Sequence, residues 1–167
     1  MRLTIIAALA LAAAGCGGGP SASLAEYFTD LESLNADIRS RQQQADIDYD
    51  AVLSSATYSE RAREGFADYL TEQRDIARLY ADRAGDLDPP EEAVQLHAAS
   101  IVAYVDFAES IERVIGTVEQ ARTLDQLVGA LGNTDAIEAA AATTATCLAL
   151  QQLADDEDVA VDLECES

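Results

Sequence analysis

The segment DPPEEAVQLHAASIVAYVDFAESIERVIGTV, residues 88–118, carries the strongest structural signal in this chain. Its first four residues, Asp88-Pro89-Pro90-Glu91, form the clearest boundary in the sequence. The positions that follow recur at intervals of three or four: Val94, His97 or Ala98, Ile101, Tyr104, Val105, Ala108, Ile111, Ile115 and Val118. This spacing is typical of the buried face of an α-helix. The segment therefore predicts a long helix with Asp88 as its N-cap and Pro89 in its first turn.

Similar patterns precede this segment and predict two more helices. The first starts at Ser23, which forms a capping box with Glu26, and its apolar stripe runs from Leu24 to Ile38 and continues at Ala45, Tyr49 and Val52. The pattern thins over residues 42–50, so the sequence leaves open whether this helix kinks there or continues. A second helix starts with the box Thr57-Glu60 and ends at Gly85. Its apolar stripe is Phe66, Tyr69, Leu70, Ile76, Leu79, Tyr80 and Ala84.

The remainder of the chain predicts a fourth helix in two pieces. Thr123 with Gln126 caps a short piece that ends at Gly132, and Asp135 with Glu138 caps a longer piece. We expect the longer piece to bury a stripe and to end at the acidic residues 155–158, because carboxylates oppose the dipole of a helix C-terminus. That expected stripe is Ile137, Ala141, Thr144, Leu148 and Leu153. Beyond it, the alternation of Val159, Val161 and Leu163 predicts an extended strap over the helices.

Composition agrees with an all-α fold. Hydrophobic residues make up 49% of the chain, but aromatic residues only 5%, so the core has to come mainly from alanine, leucine, isoleucine and valine. Short connections between long helices favour antiparallel neighbours. We therefore predict that residues 23–167 form one domain, an up-down antiparallel bundle of about four long helices with the fourth broken and a short extended C-terminal strap.

The charge balance excludes whole classes of partner. The net charge is −21, and the ten basic residues are all arginine. Nucleic acids and anionic lipid headgroups are bound by clustered basic side chains, which this chain lacks. No nucleic-acid partner is expected. A surface this acidic favours solubility and attracts cations or basic partners.

The first sixteen residues, MRLTIIAALALAAAGC, predict export and a lipid anchor. Residues 1–15 combine one arginine with an apolar run too short to remain as a spanning helix, which is typical of a signal peptide. The ending Ala13-Ala14-Gly15-Cys16 resembles a bacterial lipobox, although the usual leucine is replaced by Ala13. The resemblance implies that Cys16 is lipidated. The alternative is an ordinary secretory signal that leaves Cys16 as a free thiol. The glycine-rich residues 16–22 then form a tether.

Two further cysteines, Cys147 and Cys165, form an even pair in a chain that is expected to leave the reducing cytoplasm. We therefore predict a disulfide between them. The bond would stabilise the protein by about 3 kcal/mol in the chain-entropy estimate. A redox-active or metal-binding pair is the alternative, but the spacing is far from Cys-x-x-Cys.

Few residues suggest chemistry. His97 is the only histidine, and a hydrolase or metal-dependent enzyme would have to use it with nearby carboxylates. Asp46, Asp48 and Asp50 alternate as in the first half of a calcium-binding loop, but Ala51 stands where that loop needs glycine. A solvated acidic segment is the simpler interpretation. The sequence assembles no catalytic set, and we expect no metal and no cofactor.

Several segments together resemble a loose group of uncharacterised helical secreted lipoproteins of bacteria. These are the lipobox, the turn Leu87-Asp88-Pro89-Pro90-Glu91 followed by His97, the helix Cys147-Leu148-Ala149-Leu150, and the ending Val161-Asp162-Leu163-Glu164-Cys165. The resemblance implies a helical bundle with a disulfide and no particular activity. The leading hypothesis is a lipid-anchored protein on the extracytoplasmic side of the cell envelope that binds or scaffolds a protein or small-molecule partner. The enzyme that uses His97 is the alternative.

Overall fold

The computed structural model describes residues 22–53, 60–132 and 134–165. They form five helices: α1 (Ala22–Leu53), α2 (Glu60–Gly85), α3 (Val94–Gln120), α4 (Leu124–Leu131) and α5 (Thr134–Asp156). No β-strand occurs in these ranges, so the predicted all-α class is confirmed. The predicted signal peptide, Cys16 and all of the predicted tether except Ala22 lie outside the described residues. Thr57, the predicted cap of α2, lies outside them as well.

Helix α1 runs without interruption through residues 42–50, which answers the question that the sequence left open. Its predicted apolar stripe is buried from Leu24 to Ile38 and again at Ala45, whereas Tyr49 is half-buried. In this segment the amide of Gln44 donates to Asp48 one turn later, at 2.9 Å. Small and polar residues therefore maintain the helix where large apolar ones are missing.

The predicted start of α3 is wrong. Its N-cap is Ala93, with no side-chain capping bond, whereas Asp88 was predicted. The backbone N–H groups of Ala93 and Val94 both donate to the carbonyl of Pro90, at 2.9 and 3.1 Å. The reason is local sterics: a residue that precedes proline is pushed out of the helical region, and here Pro89 itself precedes Pro90. The helix can therefore begin only after the second proline.

The buried face of helix α3 differs from the predicted stripe, because Val94 and Val105 of that stripe are 45% and 41% exposed. His97, and not Ala98, is the buried one of the two alternatives. Ser100, Ala103, Ser110 and Val114 are also buried, although none belongs to the stripe. The physical reason is that α3 packs against both α2 and α5, so two of its faces are covered. A single stripe underestimates the core of a helix with two neighbours.

The short helix α4 has the predicted cap. Thr123 has extended backbone angles, and its hydroxyl accepts from the backbone N–H of Gln126 at 3.3 Å. The side chain of Gln126 returns to accept from the N–H of Arg122, at 2.7 Å. The helix ends before Gly132, as predicted.

Helix α5 ends at Asp156, within the predicted acidic stretch, but its predicted stripe is wrong. Ile137 and Leu148 are 59% and 53% exposed, whereas Leu150 and Ala154 are buried. No charged residue occurs at positions 139–154, and most of these positions are alanine or threonine. With no charged face to oppose the apolar one, the sequence of this helix does not indicate which side is covered.

The contacts between α1 and α2 reverse in order along the two helices. Asp37 of α1 contacts Arg83 of α2, while Asp46, further along α1, contacts Tyr69, which comes earlier in α2. Helices α2 and α3 show the same reversal, in the pairs Arg74–Glu112 and Tyr80–Ser100. Helix α3 also packs against α4 and α5. It is thus the central helix of the assembly.

Residues 157–165 carry no helix and lie between α1 and α5. Leu163 is only 1% exposed, and its backbone is bonded on both sides. Its carbonyl accepts from Asn35 of α1 at 3.0 Å, and its N–H donates to Gln151 of α5 at 2.8 Å. The amide of Gln151 also donates to the carbonyl of Val161, at 3.1 Å. Side chains of two helices therefore satisfy the backbone of a segment that has no secondary structure.

The sulfur atoms of Cys147 and Cys165 are 2.03 Å apart, the distance of a disulfide bond. Cys147 lies on α5 and Cys165 at the end of the C-terminal segment. The pairing that the sequence predicts is thus seen in the structure. It links the last helix covalently to residues that non-covalent contacts hold against α1.

Candidate functional site

His97 lies inside the helical assembly, with 6% of its surface exposed. Its Nδ1 is 3.0 Å from the hydroxyl of Tyr27 on α1, and the two rings meet edge to face, 5.6 Å apart. The ring also hydrogen bonds the backbone of Ala84 at the end of α2. His97 therefore joins α1, α2 and α3 through one buried side chain.

Burial controls the titration of this pair. Desolvation lowers the pKa of His97 below its ordinary value of 6.5, and the bond to the backbone of Ala84 opposes that shift. Desolvation raises the pKa of Tyr27, because burial disfavours the charged form of either side chain, and nearby Tyr80 raises it further. Both side chains are thus held neutral at physiological pH. A neutral His–Tyr pair with satisfied hydrogen bonds is suited to packing.

A second buried polar pair lies on the same helix interfaces. The hydroxyl of Tyr80 on α2 and that of Ser100 on α3 are 3.0 Å apart. The ring of Tyr80 stacks on Tyr104, with centroids 3.7 Å apart. Among the described residues, no buried side-chain nitrogen or oxygen lacks a hydrogen-bond partner. The hydrogen bonds of these buried polar groups therefore favour the particular register in which the helices pack.

This geometry removes the main support for an enzyme built on His97. A general base needs reach to a substrate proton and, in most sites, a carboxylate that orients it. The ring of His97 instead faces a tyrosine hydroxyl and a backbone group. It lines none of the surface cavities described below.

The three alternating aspartates lie on α1, within its continuous helix. Because side chains two residues apart on a helix point in nearly opposite directions, Asp48 faces away from Asp46 and Asp50. The arrangement is that of a solvated helix surface, and a calcium loop would need the three to converge. In the described part of the chain, no group of three or more histidines, cysteines or carboxylates is placed to hold a metal ion.

The best-formed candidate site is a groove between α1 and α2, hereafter the α1/α2 groove, with a volume of about 450 Å³. Each helix contributes one tyrosine to its lining. Tyr49 and Tyr69 stack with ring centroids 4.4 Å apart and planes inclined by 19°. Phe66 packs behind them, 5.6 Å from Tyr49. The other lining residues are Arg41, Gln44, Ala45, Asp48, Gly65, Asp68 and Glu72.

Hydrogen bonding fixes the orientation of the aromatic pair. The hydroxyl of Tyr69 donates to Asp46 across the helix interface, at 2.9 Å. Desolvation and this bond raise the pKa of Tyr69, with Asp46 and Asp50 adding negative potential. Desolvation and Asp50 raise the pKa of Tyr49. Both tyrosines are therefore neutral, and they present rigid aromatic surface beside carboxylates.

A second cavity, of about 290 Å³, lies where α1, α3 and α5 meet the disulfide. Its lining is largely uncharged and includes Gln42, Gln43, Thr143 and Thr144. Its charged side chains are Arg39, Glu164 and Asp46. Arg39 and Glu164 pair with each other, and Asp46 accepts a hydrogen bond from Tyr69. The charges of Arg39 and Glu164 therefore offset each other and leave no net charge from that pair for a ligand to bind.

The α1/α2 groove was not predicted from the sequence. Tyr49 and Tyr69 were assigned to the buried stripes of α1 and α2, and both are in fact half-buried. The acidic residues around them resemble any solvated helix surface. The sequence feature that could have indicated the groove is the combination of aromatic and acidic residues in the thinned part of α1. In that part of the helix, no large aliphatic side chain fills the interface with α2.

No helix in the described ranges has the length and apolar character needed to cross a membrane. No family model, no curated protein and no solved structure matches this chain.

Proposed function

We propose that this protein is a binding module, anchored by lipid on the extracytoplasmic side of the cell envelope, whose ligand occupies the α1/α2 groove. The observation that carries the proposal is the groove itself. It combines a volume of about 450 Å³ with two oriented tyrosines and carboxylates on both helices. Binding sites typically place a few polar groups in a concave, partly apolar surface.

The anchor is inferred from the amino-terminal sequence. Residues 1–15 supply the export signal, Cys16 the lipid attachment, and residues 16–22 the tether. The body that follows carries a strongly negative charge, which separates it from anionic headgroups. Lipid at Cys16 would hold at the membrane a domain that the surface itself would not attract.

The proposal also includes the arrangement of the helices and of the C-terminal residues. An up-down arrangement of four long helices, with the fourth broken between α4 and α5, is supported by the reversed contact order of α1 with α2 and of α2 with α3. Residues 159–165 act as a strap. The bonds of Leu163 to Asn35 and Gln151 support that role.

A ligand screen on the exported domain tests the proposal. We expect at least one small-molecule class to raise the melting temperature of the wild-type domain, because a ligand that binds the folded state stabilises it. The control variant is Tyr69→Ala, which removes one wall of the α1/α2 groove. Because Tyr69 also packs against the core, the shift that each ligand causes is compared between the two proteins, and not the melting temperatures themselves. The proposal fails if no class stabilises the wild type, or if every stabilising ligand acts equally on the variant.

A further inference from the structure

The carboxylates of the α1/α2 groove lie on both of its walls. Asp48 is on α1, while Asp68 and Glu72 are on α2. Asp68 and Glu72 are four residues apart, so they share one face of the helix with a separation of about 6 Å between their Cβ atoms. The negative charge therefore extends along the groove and across it.

These carboxylates are not neutralised by the protein. Among the described residues, none of the three forms an ion pair, because the ion pairs of that part of the chain involve other acids. The groove contains one basic group, Arg41, which lies 3.7 Å from Asp37 outside the lining. Three carboxylates and one guanidinium leave the lining with a net charge of −2. A ligand with two positive charges would therefore neutralise the lining.

The aromatic part of the lining distinguishes this groove from a simple acidic surface. The stacked rings of Tyr49 and Tyr69 both line the groove and therefore offer aromatic surface next to the carboxylates. Aromatic faces attract ammonium groups and pack against methylene chains. A bare metal ion would use the carboxylates alone, whereas an organic cation would use both features.

We propose that the α1/α2 groove binds a linear aliphatic diamine, with its ammonium groups on Asp68 and Glu72 of the α2 wall and its methylene chain on Tyr49 and Tyr69. This inference rests on the proposed function and names the ligand class of the same site. A four-carbon diamine carries two charges, which matches the net charge of the lining. Its nitrogens are about 6 Å apart when extended, from standard bond lengths, which is close to the Cβ separation of two helical residues four apart, such as Asp68 and Glu72.

The test is titration calorimetry of the exported domain with butane-1,4-diamine at low salt. We expect saturable binding, and we expect Asp68→Asn with Glu72→Gln to weaken it by about fivefold, the effect of losing two partly exposed ion pairs. The matched control is Asp82→Asn with Asp86→Asn, which changes the net charge equally at exposed positions outside the groove. That control should bind the diamine as the wild type does. Far-ultraviolet circular dichroism checks that each variant is folded.

Two further probes separate the parts of the proposal. Butylamine has the chain with one charge, and Mg²⁺ has two charges without the chain. Both should bind more weakly than the diamine. Equal binding of Mg²⁺, or equal weakening by the control variant, would show general charge attraction and overturn the diamine assignment. If the diamine fails while another class in the ligand screen binds and requires Tyr69, the proposed function stands and only the ligand class is wrong.

Discussion

At the scale of single residues, His97 shows how the fold uses a group that the sequence offered as a catalyst. Desolvation favours the neutral ring, and the hydroxyl of Tyr27 and the backbone of Ala84 satisfy its polar atoms. A buried neutral histidine ties three helices together without placing a charge in the core.

The titration of His97 gives a prediction with a definite sign. Its pKa in the folded protein is below 6.5, so the unfolded chain takes up the proton first as the pH falls. The contribution of His97 to the free energy of unfolding is therefore present above about pH 6.5 and is lost as the pH falls below it. Urea denaturation at several pH values between 7.5 and 5 measures this effect.

The comparison variant is His97→Gln, which keeps a buried polar side chain but does not titrate. The many carboxylates titrate in both proteins, so the difference between wild type and variant isolates the histidine. That difference should shrink as the pH falls. A difference that stays constant over the range would show that His97 is not held neutral by the fold.

At the scale of elements, the C-terminal segment depends on one glutamine. The side-chain amide of Gln151 accepts from the N–H of Leu163 and donates to the carbonyl of Val161, at 2.8 and 3.1 Å. It thus satisfies two backbone groups of a segment that forms no ladder with a neighbouring strand. The disulfide between Cys147 and Cys165 holds the same segment to the same helix.

Replacing Gln151 with alanine should release this segment while the helices stay folded. Two backbone groups lose their partners, at a cost of about 1–3 kcal/mol for a buried group left unsatisfied. Amide hydrogen exchange at Leu163 should accelerate, and dithiothreitol should reduce the disulfide faster. The matched control is Gln152→Ala, an exposed neighbour on α5. Unchanged exchange at Leu163 in Gln151→Ala would mean that apolar burial alone holds the segment.

At the scale of the whole molecule, the negative charge and the proposed lipid anchor act in opposite directions. A body with a net charge of −21 is repelled by anionic membranes and by other copies of itself. A tether at Cys16 would hold it at the membrane regardless of that repulsion, and a single acyl chain gives only weak attachment, so more than one is needed.

The anchor is tested by Cys16→Ser. We expect the variant to be exported but recovered in the soluble fraction, because the serine hydroxyl cannot receive the thioether-linked lipid of a lipobox cysteine. Fractionation and metabolic labelling with a fatty acid measure the change. Retention of the variant in the membrane fraction would count against lipidation at Cys16.

Local sequence patterns predicted the helices well where the buried and exposed faces of a helix differ in composition. The stripe of α1 and the cap at Thr123 follow from side chains within a turn or two of each other, and the structure contains both. The prediction failed at α5, whose alanine and threonine residues make its faces alike, and at the start of α3, where the second proline delays the helix. Sequence patterns predict the buried side of a helix reliably when apolar and polar residues lie on different faces.

The all-α class, the helix periodicity and the acidic character follow from the order of the residues, because each depends on neighbours in the chain or on composition alone. The pairing of Tyr27 with His97, and of Tyr49 with Tyr69, does not follow from that order. These partners are far apart in sequence, and they meet only because the helices pack in one register out of several that would bury similar stripes. The buried role of His97 and the existence of the α1/α2 groove both depend on that register.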